Sequence, residues 1–153
     1  ARPPSGFEEY FGGKPYFRFM KYDAAEDSSA VDVLERIRDF PEGATAEDTL
    51  RELMTEGLGD ARESVRNAIS FLQRIMDEEG PFEGIIGYSE GATIAATLLL
   101  TEQQRHEEGG RLPMFKCAIF FAGWPPMTPD AEYMVLSDQS DLMIEVPSCH
   151  VGE

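Results

Sequence analysis

Between residues 84 and 105 the chain changes character twice within a few positions. Gly84-Ile-Ile-Gly-Tyr88 is a short apolar run that follows a Gly80-Pro81 break and reads as a buried strand. A single hydroxyl comes next, Ser89, held between glycines at 87 and 91. From Glu90 to about Arg105 the apolar residues, among them Ala92, Ile94, Ala95, Leu98 and Leu99, fall on nearly every face of a helix, so that helix must lie deep. Strand, glycine-flanked serine and buried helix in that order narrow the choice of fold sharply.

A G-x-S-x-G pentapeptide alone is weak evidence, since chance produces one in roughly one such chain in fifteen. Here a strand enters it and a helix leaves it, the arrangement that a nucleophile elbow requires. The serine of such an elbow sits in a sharply turned, strained conformation. A side chain two residues before or after it is expected to collide with the neighbouring strand or helix, and Gly87 and Gly91 occupy those two places. The turn lifts the Ser89 hydroxyl clear of the sheet, at the positive N-terminal end of the following helix. The backbone N–H of Glu90 is the candidate oxyanion donor. The alternative is a tight strand-helix turn with a capping serine and no chemistry.

The flanking sequence continues the alternation. Asp60 and Glu63 make a helix N-terminus, and Val65, Ala68, Ile69, Leu72, Ile75 and Met76 follow as one amphipathic stripe that Gly80 and Pro81 end. Gly109-Gly110 stops the second helix. Lys116-Cys-Ala-Ile-Phe-Phe121 reads as another buried strand, closed by Ala122-Gly-Trp-Pro-Pro126, and Ser148-Cys-His-Val151 as a last one. Helix, strand, helix, strand, strand is the order of an α/β fold with a mostly parallel sheet. The first half is loop-rich. Pro15 to Met20 is an extended candidate, while Ser29-Ala-Val-Asp32 and Thr45-Ala-Glu-Asp48 look like starts of short helices. Residues 23–58 are expected to form a lid or a surface excursion on a single domain that takes in 1–153.

Composition removes several function classes. Thirteen basic against 29 acidic residues give a net charge of −16, so neither nucleic acid nor an anionic membrane is the expected partner. No apolar run approaches the roughly 20 residues that span a bilayer. Cys117 and Cys149 each sit in a strand-like run, which favours free thiols and a reducing compartment, the cytoplasm. The two histidines, His106 and His150, form no cluster at metal-ligand spacing. No metal and no cofactor are therefore expected.

Glu79-Gly-Pro-Phe-Glu-Gly-Ile-Ile-Gly-Tyr-Ser-Glu-Gly-Ala92 resembles the elbow of the fungal FSH family of serine hydrolases, relatives of the ovarian cancer gene 2 product. That family usually shows a G-P-F-D-G run, two hydrophobic residues, then G-F-S-Q-G-A. Phe115 to Pro126 looks like its next strand and the loop over the active site, and Pro147 to Gly152 like the strand that leads to its catalytic acid. Phe11-Gly-Gly-Lys-Pro-Tyr-Phe-Arg-Phe19 is similar to a further family segment. The resemblance implies an α/β-hydrolase-like three-layer sandwich, of which this chain looks like the middle portion with both ends absent. It also implies Ser-His-Asp esterase or thioesterase chemistry.

On that reading Ser89 attacks an acyl ester or thioester, and Tyr88 and Trp124 are candidates for the substrate pocket. The substrate is a small-molecule or carrier-bound acyl group. His106 lies about 25 Å along the helix from Ser89, at about 1.5 Å per residue, too far to take its proton. His150 matches a strand histidine that packs in the sheet, and Asp138 and Asp141 are loop acids. The 153 residues alone are accordingly expected to be a poor esterase. The competing reading is a non-catalytic α/β-hydrolase-like interaction module. The sequence carries no indication of oligomeric state.

Overall fold

The structure, a computed structural model, describes residues 9, 12, 13, 19, 20 and 46–152, the side chains of 46–60 excepted. Helix α1 spans Ala46–Glu79, strand β1 Gly84–Tyr88, helix α2 Glu90–Glu107, strand β2 Cys117–Phe121 and strand β3 Ser148–Val151. The three strands form one parallel sheet in the order β1-β2-β3. Gly87 stands beside Phe120, and Phe120 beside His150. Parallel neighbours need crossovers, and α2 supplies the one between β1 and β2. The parallel sheet with its helices is part of an α/β-hydrolase-like fold.

Helix α1 takes in both the short helix expected to start at Thr45 and the separate amphipathic helix expected to start at Asp60. It runs without a break for 34 residues through Gly57, Gly59 and Asp60, so Asp60 is interior to the helix and not its cap. Each glycine costs about 1 kcal/mol relative to alanine, less than ending one helix and nucleating another. Residues 46–58, expected in a lid or excursion, are the first part of this helix. Residues 23–45, the helix start at Ser29 and residues 15–18 of the extended candidate lie outside the described residues.

The stripe of α1 behaves as its spacing predicts. Val65, Ile69 and Met76 are buried, and Ala68 and Leu72 pack against the core. The helix ends at Gly80, whose N–H donates to Met76 O at 3.2 Å. A Cβ on Gly80 would stand 2.4 Å from that same carbonyl, so a residue with a side chain does not fit.

Helix α2 is the centre of the molecule, buried continuously from Ala92 to Glu102. Burial of Ile94 and Leu98 contributes roughly 1.5–3 kcal/mol each. Gly109, at φ +90°, closes the helix by donating to His106 O. Glu102 is a buried carboxylate, 2% exposed, and it is well satisfied. It accepts from Gln73 Nε2 of α1 at 3.1 Å and from Arg105 and from both Nε and Nη2 of Arg111. Arg111 also pairs with Asp77. Burial opposes the Arg111 charge, but Asp77 and Glu102 outweigh it and hold its pKa above the ordinary arginine value.

The strands are less buried than their apolar sequences predict. Ala118 and Phe120 face the helices and are buried. Ile86 and Tyr88, on the alternate face of β1, are 70% and 68% exposed. All four residues of β3 are exposed. A short apolar run cannot distinguish a strand covered on one face from one covered on both. Cys117 and Cys149 are free thiols, one on each of β2 and β3.

Candidate active site

Ser89 occupies the single residue between β1 and α2, at φ 51° and ψ −124°. Positive φ in a non-glycine residue costs of order 1–3 kcal/mol and persists only when the surroundings enforce it. They do so here on both sides. The Ser89 N–H donates to Phe121 O of β2 at 2.8 Å, and its carbonyl accepts from Ala92 N at 2.9 Å and Thr93 N at 3.4 Å. The main chain is pinned while the side chain is left out. The Ser89 hydroxyl makes no capping bond to α2, and it has no partner among the described residues. The simple capping-serine turn is therefore not what the geometry shows. The Glu90 N–H also finds no acceptor among the described residues. It belongs to the first turn of an 18-residue helix, where an anion is favoured.

The two glycines of the pentapeptide are not equivalent. A Cβ on Gly87 would lie 2.4 Å from Ala92 Cα and 2.7 Å from Gly91 O, so the close approach of β1 to the first turn of α2 depends on glycine there. Gly91 departs from the steric expectation. Among the described residues a Cβ on it would meet only Phe19 Cε2, at an ordinary 3.9 Å. The tight contact belongs instead to Gly123. A Cβ there would stand 2.6 Å from the Ala92 side chain. The sequence offered a signal for this, since Gly123 directly precedes the aromatic and proline residues of the loop after β2.

That loop is tied to α2 just past the serine. Ala122, at φ 46°, donates its N–H to Val151 O. The Thr93 hydroxyl donates to the Trp124 carbonyl and accepts from the Trp124 N–H, both at 3.1 Å. One turn on, the Thr97 hydroxyl accepts from Met127 N at 2.9 Å and donates to the Thr93 carbonyl, and Thr101 repeats the latter bond onto Thr97. Trp124, partly buried, is thus anchored through its backbone one helical turn from Ser89. Tyr88 takes the other side of β1, away from Ala92, with its ring exposed. Further along the loop Glu132 pairs with Arg62 and Arg66 of α1. The Thr128 hydroxyl, helped by the Glu132 backbone N–H, holds the Asp130 carboxyl below the usual carboxylate range.

Neither histidine is beside the serine. His106 is exposed in the last turn of α2. His150 lies two strands from β1, about 10 Å across the sheet at the usual strand spacing. Its ring packs on Phe120 with centroids 4.9 Å apart, and its Nε2 is 3.1 Å from Ser148 Oγ. It stands at the exposed edge, not within sheet packing on both sides. Asp138 and Asp141 are exposed in the segment before β3.

One partner of the site was invisible in the sequence. The Glu90 carboxylate accepts two consecutive backbone N–H groups, from Phe19 at 2.6 Å and Met20 at 2.7 Å, across about 70 residues of chain. No local pattern encodes a contact of that separation.

The fold places the chain among the α/β-hydrolase-like proteins. A family model described as Serine hydrolase (FSH1) matches residues 14–152, and the chain belongs to that family. Hydrolase phiM of Fungal sp. is 32% identical over 97 residues, which cover 62% of this chain and 46% of that protein. Esterase FUS5 of Gibberella moniliformis is 44% identical over 73 residues, 47% of this chain and 30% of that one. Hydrolase FUB4 of Fusarium oxysporum f. sp. lycopersici is 41% identical over 69 residues, 44% of this chain and 25% of that one. The chain thus spans less than half the length of these curated relatives. No solved structure matches it. Among the described residues no helix is long and apolar enough to cross a membrane.

Proposed function

We propose that the protein is a serine hydrolase that cleaves an acyl ester or thioester through an acyl-enzyme on Ser89. The observation that supports this most is Ser89 itself, strained at φ 51° with a hydroxyl that caps nothing. In the first half-reaction Ser89 Oγ attacks the acyl carbonyl carbon and gives its proton to a general base. The carbonyl oxygen becomes an oxyanion and accepts from the Glu90 N–H. Collapse of the tetrahedral intermediate breaks the bond to the alcohol or thiol, which leaves with the proton from the base. Water, deprotonated by the same base, then hydrolyses the acyl-enzyme and restores Ser89. With His106 at the far end of α2 and His150 two strands away, the base is neither of these histidines. The acyl group arrives on a small molecule or on a carrier; relatives named hydrolase and esterase fit either source.

A fluorophosphonate probe tests the proposal directly. Ser89 is expected to take the label in the protein. Ser89→Ala is expected to abolish labelling and to cut p-nitrophenyl ester turnover by about 10⁶-fold, the scale of losing a catalytic triad serine. Undiminished hydrolysis by that variant would make Ser89 a bystander, whereas a wild-type protein that neither takes the label nor turns over the ester would turn the reading toward a non-catalytic interaction module.

A further inference from the structure

The bonds from Phe19 and Met20 to Glu90 do more than attach a distant segment. Two consecutive main-chain donors on one carboxylate fix that segment at two points, and bonds to a carboxylate are shorter and stronger than neutral ones. The segment so fixed puts the Phe19 ring against the first turn of α2. Phe19 Cε2 lies 3.9 Å from the position of a Gly91 Cβ, so the ring rests where Gly91 has no side chain, two residues past Ser89. The ring is nonetheless 42% exposed. An aromatic ring held in place by main-chain bonds, half open to solvent against the helix turn that follows a strained serine, is built like the wall of an apolar subsite. On the same first turn the Thr93 hydroxyl anchors Trp124, so two aromatic residues are tethered to it by side chains of α2.

We propose that the Glu90 carboxylate is a clamp that seats Phe19 as one wall of the acyl-binding site, and that the site therefore selects for an extended apolar acyl group. The inference rests on the hydrolase reading of Ser89 and adds a positioning residue and a specificity-determining residue to it. The clamp has a second effect. A carboxylate beside an oxyanion donor opposes the charge that develops in the transition state, and its engagement with two N–H groups directs that charge toward the Phe19 segment.

The test compares kcat and KM for p-nitrophenyl acetate and p-nitrophenyl octanoate in the whole protein and its variants. Glu90→Ala and Phe19→Ala are each expected to lower kcat/KM for octanoate about tenfold more than for acetate, mainly through KM, because only the long chain reaches the wall. Glu90→Gln is expected to restore most of the octanoate preference, since its amide oxygen accepts the same two bonds. Phe19→Trp is expected to move the preference toward shorter chains, and it decides the matter with Phe19→Ala if Glu90→Ala does not fold. Equal losses on both esters in these variants, with Ser89 still labelled by fluorophosphonate, overturn the clamp alone. A wild-type protein that neither takes the label nor turns over either ester overturns the hydrolase reading and the clamp together.

Discussion

At Gly87 the whole turn is decided by one missing atom, because a Cβ there would fall 2.4 Å from the Ala92 backbone. Backbone cannot move aside as a flexible side-chain tip can. Gly87→Ala is therefore expected to push α2 away from β1, at a cost of about 1–3 kcal/mol in stability, and to lower ester turnover further than stability alone explains. Among the described residues Gly91→Ala meets only the Phe19 ring, at van der Waals distance, and its melting temperature is expected to stay within a few degrees of wild type. A thermal melt of the two variants side by side checks both outcomes. The strand-to-helix turn at Ser89 and the crowding at Gly87 were legible in the sequence, because glycine restrictions and strand-to-helix switches are local. Gly91 was misread and Gly123 missed. Which glycine is crowded depends on how a loop 31 residues after Ala92 folds back onto it, and spacing cannot report that.

Helix α2 was legible as an element because its apolar residues cover the whole circumference, whereas α1 was cut in two by glycines that it absorbs. What the sequence did not disclose was the role of the three threonines spaced four apart. Thr97→Val keeps the shape but leaves the buried Met127 N–H without its acceptor, and a loss of about 1–3 kcal/mol in urea unfolding is expected. The bond between α1 and α2 through Glu102 is tested at Arg111. Arg111→Ala removes donors from a carboxylate that is 2% exposed, and a destabilisation of roughly 1–3 kcal/mol is expected. Glu102→Gln in that background is expected to recover part of it by removing the stranded charge. A double-mutant cycle separates these contributions.

For the molecule as a whole, a net charge of −16 sets the response to acid. Self-repulsion falls as carboxylates protonate, which alone favours the compact state. The segment from 127 to 135 is expected to go the other way. Asp130 has a folded-state pKa lowered from 3.8, chiefly by the Thr128 hydroxyl, so its stabilisation is complete at neutral pH and is lost as pH falls below that value. Amide exchange at Glu132, which donates to Asp130 Oδ1 at 3.1 Å, is the measurement. Its protection is expected to drop on acidification before that of α2, and Asp130→Asn is expected to remove the difference. The sheet was legible in its strands and their parallel direction but not in its exposure. Alternation is invisible in runs such as Ile85-Ile86 and Phe120-Phe121, where both faces carry apolar side chains.

A helix that is greasy all round has a problem that one with a single apolar stripe escapes. Apolar attraction has no direction, so such a rod stays buried whichever way it is rolled. In α2 the threonines act as marks on a ruler. A slip of one residue would turn each hydroxyl by about 100° and carry it about 1.5 Å along the axis, out of reach of the Trp124 and Met127 amides. Ser89 sits one turn before the first of those marks. With valines in their place the rod would remain buried but could settle at several angles, and the serine at its tip would be spread over as many positions.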